Sequence, residues 1–599
     1  MEIKDPGLYY QERILSLTNV SAGLRKRHAL LGWARLLAIV LLAVAAYTLW
    51  FRGWYFAIVA LATISVFFYL VYLALETEEK LSNTNRLIKI NQEELLVLDG
   101  RYSHRANGDE FISIFHLPDN DLDLFGPASL FQYYNRANSY HGKLALATAF
   151  TATPKIEEIE KKQQAVKELC QDPGWCQQLQ SYTMIAPVSK ETETLITEWL
   201  QDDKETFEKP IWRLLSILVP VISFTTLGLY LADKITDALF NTIMLLMLAF
   251  VFSFYKKITR EYSHLSKVIQ QLHAFLPTLQ WIENAGFENV LFKEKQTHLL
   301  HHGKASSAIA GLKGILKRFD YRLNPLVYLP LSAFLFWDLQ QALALQKWKK
   351  KQTANLAKWF EVTGDVEMLA SIAITAFNRP TWIFPEITSR WFELECRELG
   401  HPLIRESKVV TSDFSLHGTP QFALITGSNM AGKSTFLRSV GANMVLAMAG
   451  SPVRAAYMKL PVAKILSSMR IADNLEEETS TFYAELKKIK RIVESANAGD
   501  KIFILIDEML RGTNTLDRHT GSVALIKQLL RQGAVGIIAS HDIALASLEQ
   551  EYPGQLSNYH FDSTIINEEI VFDYKIKDGV CKSTNASLLM KKIGIEIEN

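Results

Sequence analysis

The chain has 599 residues, which is too long for one hydrophobic core, so several domains are expected. The 64 lysine and arginine residues nearly balance the 63 aspartate and glutamate residues, so no global charge field draws the protein onto nucleic acid. The four cysteines form no C-x-x-C pair, which disfavours a disulfide framework or zinc site and favours a reducing compartment.

Two uncharged apolar runs near the N-terminus predict a membrane hairpin. They cover residues 36–50 and 54–75 and are separated by three residues. A helix rises ~1.5 Å per residue, so roughly 20 apolar residues cross the ~30 Å hydrocarbon layer. The second run is long enough by itself, and the first is long enough with its flanks. The alternative of buried core helices fits less well, because both runs are apolar on every face.

A second pair of apolar runs, residues 214–231 and 238–255, predicts another hairpin. Three basic residues, 25–27, precede the first run of the chain, and Lys256 and Lys257 follow the last. By the positive-inside rule both ends face the cytoplasm. The pattern therefore predicts four transmembrane helices in a multi-pass protein of the inner, or cytoplasmic, membrane. The segments between and after the hairpins have the charge mixture and helical periodicity of soluble domains.

The last third of the chain carries a phosphate-binding motif between a predicted strand and a predicted helix. The run 422–425 has the length and composition of a buried strand, and G-x-x-x-x-G-K-S follows it directly. In such a P-loop, backbone N–H groups wrap the phosphates of a nucleotide, Lys433 reaches the β- and γ-phosphates, and the Ser434 hydroxyl ligates Mg²⁺. The predicted ATP-binding residues of this loop are Gly427, Ser428, Asn429, Met430, Ala431, Gly432, Lys433, Ser434 and Thr435.

Two further predicted strands end in residues that suit ATP hydrolysis. The strand 501–506 ends in Asp507 and Glu508, a Walker B arrangement in which Asp507 holds the magnesium shell and Glu508 polarises the attacking water. The strand 535–539 ends next to His541, which can hydrogen-bond the γ-phosphate. The predicted cofactors are ATP and Mg²⁺. No other metal is expected, because the histidines His298, His301 and His302 have no carboxylate or cysteine beside them.

These motifs resemble the ATPase domain of the MutS family, the mismatch-recognition proteins of the ABC superfamily. The loop GSNMAGKST is close to the family's GPNMxGKST, with Ser428 in place of proline, and DEMLRGTNTLDR at 507–518 is close to DEIGRGTSTYDG. The segment STFYAEL, which begins at Ser480, resembles the family's STFMVEM signature, and the LSGGQ of transporter ATPases is absent from the sequence. His401, Pro402 and Leu403 resemble the element whose loop packs on adenine.

The resemblance implies a head-to-tail homodimer in which Ser480 of one subunit caps the γ-phosphate held by the other. It also implies an α/β P-loop ATPase domain of ABC type on an all-α lever. Short matches at 123–126, 129–131 and 142–144 resemble the start of the family's helical core. The expected domains are an N-terminal segment with a hairpin (1–80), the start of the helical core (81–210), a second hairpin (211–256), a helical lever (257–400) and the ATPase domain (401–599).

The sequence favours a membrane-anchored, MutS-like ATPase that acts on duplex DNA as a sensor or tether of the mismatch-repair type. The alternative is an ATP-driven membrane remodeller or signalling scaffold without a DNA partner. A membrane hairpin stands where mismatch-repair members of the family carry the domain that inserts a phenylalanine into DNA. A transporter fits less well, because LSGGQ is missing and only four membrane helices are predicted.

Overall fold

The computed structural model describes residues 5–581 apart from 116–119, 186, 202–208, 256–274, 302, 429–430, 470–480 and 567–568. The predicted residues Asn429, Met430 and Ser480, and the flanking Lys256, Lys257 and His302, lie outside the described residues. The chain divides into two compact units. The first comprises Met1–Arg136, Leu144–Cys176 and Leu369–Asn599, and the second comprises Ala137–Lys143 and Gln177–Met368.

The first unit begins with a long helical hairpin. Its helices, Pro6–Leu49 and Trp54–Leu98, have 44 and 45 residues, and Gly53 turns the chain between them with φ 54°. Glycine suits this position because its missing Cβ makes a positive φ accessible at little cost. The two apolar runs lie inside these helices, and large apolar side chains there, such as Leu61 and Phe68, are exposed. Both helices are long and apolar enough to cross a membrane.

A buried charge network fixes the base of this hairpin within the first unit. The Glu94 carboxylate pairs with Arg136 Nε at 2.8 Å and Arg105 Nη2 at 2.6 Å, and it accepts a hydrogen bond from Asn378 Nδ2 at 2.8 Å. Burial by itself raises the pKa of Glu94, but the two guanidinium groups outweigh it and lower the pKa to about 2. The carboxylate is therefore ionised, and its charge is compensated inside the core.

Two sheets form the C-terminal part of the first unit. The larger one has the strand order β10-β9-β4-β8-β7-β6, in which five neighbouring strands are parallel and β10 pairs antiparallel with β9. The central strands β4, β7 and β8 are buried along their whole length, as expected for a parallel sheet covered on both faces. The smaller sheet has the order β1-β5-β2-β3. The strands are β1 Glu386–Thr388, β2 Glu393–Leu399, β3 Ser412–His417, β4 Gln421–Thr426, β5 Tyr457–Pro461, β6 Lys464–Ser468, β7 Ile502–Asp507, β8 Val535–Ser540, β9 Leu556–Ile566 and β10 Glu569–Asp578.

The second unit is helical and contains three apolar helices that contact one another. Pro210–Leu231, with 22 residues, is long enough to span a membrane, whereas Asp237–Ser253 has 17 residues and Pro325–Leu335 has 11. Among the described residues of both units, three helices are therefore long and apolar enough to span a membrane, whereas four were predicted. The short helix Pro325–Leu335 was not predicted as a membrane element, because its run is well below spanning length.

The remaining described helices are distributed over both units. The α-helices are Asp109–Ile114, Leu130–Tyr134, Tyr140–Thr151, Ile156–Leu169, Pro173–Thr183, Lys190–Gln201, Val290–Leu300, Ala305–Phe319, Trp337–Asn378, Lys433–Met448, Thr481–Asn497, Thr515–Arg531 and Leu548–Glu551, and 3₁₀ turns cover Trp50–Arg52, Asp320–Leu323 and Ile543–Ser547. The described chain thus combines two mixed α/β sheets with a helical region, and it has three apolar helices of membrane-spanning length, two in the first unit and one in the second.

Candidate active site

The loop after β4 has the conformation that its glycines allow. Gly427 has φ 144°, and a Cβ atom there would lie 2.8 Å from the carbonyl oxygen of Phe561. Gly432 has φ 110° and stands immediately before the helix Lys433–Met448. A side chain at either position would strain the backbone, and at Gly427 it would also collide with β9. The loop can therefore wrap closely around a phosphate at the start of the helix.

Lys433 lies buried at the centre of this loop. Its ammonium group donates hydrogen bonds to the carbonyl oxygens of Gly427 at 2.8 Å and Ser428 at 2.9 Å, and it lies 3.5 Å from His541 Nδ1. Burial lowers the pKa of Lys433, and the nearby carboxylates of Asp507 and Glu508 oppose that effect. The ammonium group is thus held inside the loop, where an incoming phosphate would meet it.

The parallel register of the sheet brings three strand ends together. Asp507 at the end of β7 is opposite Ala539 of β8, and Ser540 of β8 is opposite Thr426 of β4. Because parallel strands present their carboxyl ends at one edge, the residues that follow them meet there. The edge thus gathers Lys433, Asp507, Glu508 and His541, which all line one cleft of about 470 Å³.

Glu508 is held from two sides at this edge. Its carboxylate makes a close ion pair with His541 Nε2 and another with Arg511 Nε at 2.8 Å. The hydrogen bond from His541, reinforced by the positive charge of Arg511, lowers the pKa of Glu508. Its backbone has φ 54°, a conformation that costs a non-glycine residue free energy and often marks a functional position. The carboxylate is thus ionised and oriented into the cleft.

The cleft also contains the oxygen ligands that a magnesium ion requires. The Ser434 hydroxyl and the Asp507 carboxylate both line it, and Asp507 is buried at the strand end. Mg²⁺ prefers hard oxygen ligands and is commonly bound by one or two carboxylates together with substrate phosphates. The residues present therefore fit a magnesium–nucleotide complex.

Some residues of the cleft carry no clear signal in the sequence. Arg438, Met469 and Tyr574 line it together with the predicted residues, and Arg511 joins them although it was noted only as a motif match. Tyr574 also borders a second, more apolar cavity of about 300 Å³ on the other side of Gly432. Tyr574 lies on β10, about 140 residues after the P-loop, and only the sheet order brings it there. Its positive φ of 53° cannot be read from a sequence.

The element that begins at His401 lies beside the second cavity. Leu399 and Ile404, which flank it, line that cavity. His401 is buried, and its Nδ1 accepts the backbone N–H of Leu403 at 3.2 Å, while its carbonyl oxygen accepts from Arg454 Nη1 at 2.9 Å. Burial lowers the pKa of His401 to about 4, so the ring is neutral near pH 7. In this conformation His401 shapes the loop through its own hydrogen bonds, and Pro402 is buried.

The helix Thr481–Asn497 is attached to the segment that follows Glu508. The buried Glu485 carboxylate accepts the backbone N–H groups of Leu510 and, at 3.1 Å, Arg511. Burial raises the pKa of Glu485, and those two backbone bonds oppose the rise. The predicted signature residue Ser480 immediately precedes this helix and lies outside the described residues. Glu485 belongs to the segment STFYAEL, but its contact with the loop after Glu508 was not predicted from the sequence.

A known protein family matches the part of the chain that contains this site. Residues 423–594 match the model of MutS domain V. The chain is 34% identical over 312 residues to the DNA mismatch repair protein MutS of Aquifex pyrophilus, which covers 51% of this chain and 34% of that protein. It is 32% identical over 244 residues to MutS protein homolog 4 of Homo sapiens, covering 39% of this chain and 25% of that protein.

A further relative has the same pattern of coverage. The DNA mismatch repair protein MutS of Methanosarcina mazei is 31% identical over 255 residues, which is 41% of this chain and 27% of that protein. The match thus spans about a quarter to a third of the length of these curated relatives.

Proposed function

This chain belongs to the MutS family through its domain V, and from that premise we propose that it is a Mg²⁺-dependent ATPase. The observation that carries the proposal is the convergence of Lys433, Asp507, Glu508 and His541 in one cleft at the carboxyl edge of the sheet. A buried cation, two carboxylates and an imidazole are the groups that binding and hydrolysing a nucleoside triphosphate require.

Each side chain has a definite role in this proposal. Lys433 leaves its carbonyl partners and binds the β- and γ-phosphates, while the N–H groups at the start of its helix bind the same anion. Ser434 and Asp507 hold Mg²⁺, which when bound neutralises charge on the phosphates. Glu508 accepts a hydrogen bond from the attacking water, and its lowered pKa keeps it ionised for that task. His541 lies beside both Lys433 and Glu508 and can sense the γ-phosphate.

The proposal extends to a homodimer that acts on duplex DNA. Ser480 of one subunit would cap the γ-phosphate bound by the other, so that ATP joins the two ATPase domains and hydrolysis releases them. Support comes from the printed names of relatives that share the domain, two of which are DNA mismatch repair proteins. Because ATP would bind the joined state preferentially, it would shift the population toward that state.

Membrane anchoring is the second part of the proposal. Its support is the exposure of large apolar side chains on the helices Pro6–Leu49, Trp54–Leu98 and Pro210–Leu231, each of spanning length. Exposed apolar surface of that extent is unfavourable in water and favourable in lipid. We place the ATPase domain on the cytoplasmic side of an inner membrane, following the basic residues that flank the apolar runs.

The decisive experiment measures ATP hydrolysis and DNA binding by the full chain in lipid nanodiscs. Wild-type protein should hydrolyse ATP with Mg²⁺, and Glu508→Gln should bind ATP but lose about 10²–10⁴-fold in rate. Glu494→Gln, an exposed carboxylate change on the helix Thr481–Asn497, should leave the rate unchanged. Wild-type turnover in Glu508→Gln would refute the assigned base.

Duplex DNA binding at several salt concentrations tests the DNA-binding part of the proposal. Neutralised phosphates release counterions, so log K should fall linearly with log salt. Absence of binding, or a slope near zero, would remove DNA as a partner and leave the remodeller or scaffold function.

A further inference from the structure

The short apolar helix Pro325–Leu335 of the second unit has a role that neither the ATPase nor the predicted hairpins account for. Its surface carries exposed leucines, with Leu326 at 87% and the preceding Leu323 at 84% of full exposure. At ~1.5 Å per residue, 11 residues span about 16 Å, roughly half of the ~30 Å hydrocarbon layer. The helix is therefore too short to cross a bilayer, and the exposure of its apolar side chains to water would be unfavourable.

The two ends of this segment are joined to each other. The rings of Tyr321 and Trp337 stack with their centroids 5.9 Å apart, and Trp337 Nε1 donates to the Arg318 carbonyl oxygen at 2.8 Å. Arg322 Nε pairs with Asp338 Oδ1 at 2.8 Å, and both of these side chains are buried. The chain therefore leaves this cluster after Arg322 and returns to it at Trp337. Residues 323–336, between these two points, are called the excursion below.

Aromatic and charged residues at this closure match what is found at a membrane surface. Tryptophan and tyrosine are enriched at the level of the lipid headgroups, where Tyr321 and Trp337 would lie. Lys317 and Arg318, exposed in the last turn of the helix Ala305–Phe319, would face anionic phosphates beside them. The buried ion pair of Arg322 and Asp338 would hold the two ends of the excursion together at this surface.

The excursion packs against both helices of the second hairpin. Ser223 Oγ donates to the Ala333 carbonyl oxygen at 2.8 Å, and Gln340 Nε2 donates to the Ser216 carbonyl oxygen at 2.6 Å. Phe252 contacts Tyr328 with ring centroids 6.0 Å apart. These contacts reach from Ser216 to Ser223, just past the middle of Pro210–Leu231, and they include the last residues of Asp237–Ser253, so they lie mainly toward the end of the hairpin opposite its turn.

From this geometry we infer that residues 323–336 form a re-entrant helix that enters one leaflet of the bilayer and returns to the same side. The segment lies among the acyl chains of one leaflet, which is the leaflet where the second hairpin begins and ends. Within the segment, the Ala333 carbonyl oxygen accepts from Ser223 Oγ, the Asn324 carbonyl oxygen accepts from the Tyr328 N–H and the Ser332 carbonyl oxygen accepts from the Phe336 N–H, and hydrocarbon demands such internal partners for backbone polar groups. The inference rests on the proposed membrane anchoring and adds a fifth apolar element to it.

Depth-dependent fluorescence quenching tests the inference on the full chain in vesicles. Single cysteines replace Leu326, Leu245 and Leu516 in a Cys170→Ser background, since the other three native cysteines are buried. All three leucines are highly exposed, so labelling should not disturb the fold. Leu245 lies mid-helix in Asp237–Ser253 and serves as the membrane control, and Leu516, in the ATPase domain, serves as the aqueous control.

An environment-sensitive dye on Leu326→Cys should lose emission when the lipids carry nitroxide on their acyl chains, as should the dye on Leu245→Cys. The dye on Leu516→Cys should be unaffected. If Leu245→Cys is quenched and Leu326→Cys behaves like Leu516→Cys, the re-entrant helix is refuted while membrane anchoring stands. If Leu245→Cys is not quenched, the anchoring itself fails and the inference fails with it. Leu323→Cys repeats the test nearer the headgroups and should respond most to nitroxide placed there.

Discussion

The carboxylate of Glu485 accepts the backbone N–H of Arg511 at 3.1 Å, so the helix Thr481–Asn497 holds the turn that carries Glu508 and Arg511. The same carboxylate accepts the N–H of Leu510. The helix that begins beside Ser480 is thereby connected to the proposed base of the same chain. If docking of a partner subunit moved this helix, the bonds of Glu485 would transmit that movement to the turn that carries Glu508.

Replacing Glu485 by glutamine should slow ATP hydrolysis while leaving ATP binding nearly intact. The amide offers one oxygen to two N–H donors and turns its own N–H₂ group toward one of them. A buried donor left without an acceptor costs about 1–3 kcal/mol, and the turn carrying Glu508 would shift to relieve it. Steady-state kcat and nucleotide affinity check the effect. Glu494→Gln on the same helix is the control, and equal behaviour of the two variants would show that Glu485 does not position the turn.

Removing Arg511 should change the pH dependence of hydrolysis. His541 and Arg511 together hold the pKa of Glu508 below its ordinary value, so Glu508 stays ionised at lower pH than a free carboxyl group. In Arg511→Gln that pKa should rise, and the acid limb of the pH–rate profile should move to higher pH. His541→Ala should move it further, because the His541 hydrogen bond is the largest cause of the lowering.

Arg518→Gln is the control for this prediction, since Arg518 is half-buried on the next helix and is not among the described residues that line the cleft. An acid limb that stays in place in Arg511→Gln would mean that Arg511 does not tune the pKa of Glu508 during turnover.

Neutralising Glu94 should destabilise the first unit strongly. Glu94→Gln leaves two buried guanidinium groups without their anion, and breaking a buried pair in this way costs about 3–5 kcal/mol. Glu76→Gln removes an exposed partner of Lys80 on the same helix and should change the melting temperature little. Thermal unfolding in detergent, followed by the loss of ATP binding, measures the difference. Similar melting temperatures for the two variants would contradict the structural role of Glu94.

The same carboxylate predicts a loss of stability in acid. The folded pKa of Glu94 is about 2 and its ordinary value is 4.5, so the folded state holds fewer protons between them. The stability that Glu94 contributes is therefore complete above about pH 4.5 and is lost as the pH falls toward 2. Wild-type melting temperatures should fall through this range more steeply than those of Glu94→Gln.

Alanine at Gly427 should abolish nucleotide binding. The new Cβ would lie 2.8 Å from the Phe561 carbonyl oxygen, so the loop or β9 must move. Gly554→Ala is a matched control, because Gly554 also has a positive φ but its Cβ would meet nothing within 4 Å. Both variants bear the cost of a positive φ, about 1–2 kcal/mol, and only Gly427→Ala bears the collision. Binding of a fluorescent ATP analogue separates them, and intact binding by Gly427→Ala would contradict the described loop.

Mixing two inactive variants tests the composite site. Lys433→Ala should lose ATP binding in its own loop, and Ser480→Ala should lose the cap that it offers to a partner. A dimer of one with the other retains one intact site of two, so each mixed dimer should hydrolyse ATP at up to half the rate of a wild-type dimer. Hydrolysis measured across mixing ratios checks this, and mixtures as inactive as either parent would count against pairing between subunits.

Short-range chemistry was accessible from the sequence. The glycines of the loop after β4, Lys433 and the carboxylates after the strand 501–506 could be predicted as parts of a nucleotide site, because each motif is contiguous and each needs one residue type at one position. The apolar hairpin helices could be predicted for the same reason, since uncharged runs as long as residues 54–75 have few alternatives to a long apolar helix. The helix Pro325–Leu335 could not, because an 11-residue apolar run occurs equally in soluble cores.

By itself the sequence determined the local parts: the glycine-rich loop after β4, the strand ends that follow it, and the long apolar helices. Only the tertiary structure decided which distant residues act on those parts. It placed Tyr574 in the lining of the cleft and bonded Glu485 to the turn that follows Glu508. It also paired Glu94 with two arginines and stacked Trp337 on Tyr321. The physical reason is that a motif needs only neighbouring backbone and a fixed residue type, whereas a contact between remote side chains depends on sheet order and helix packing, which emerge only when the whole core is assembled.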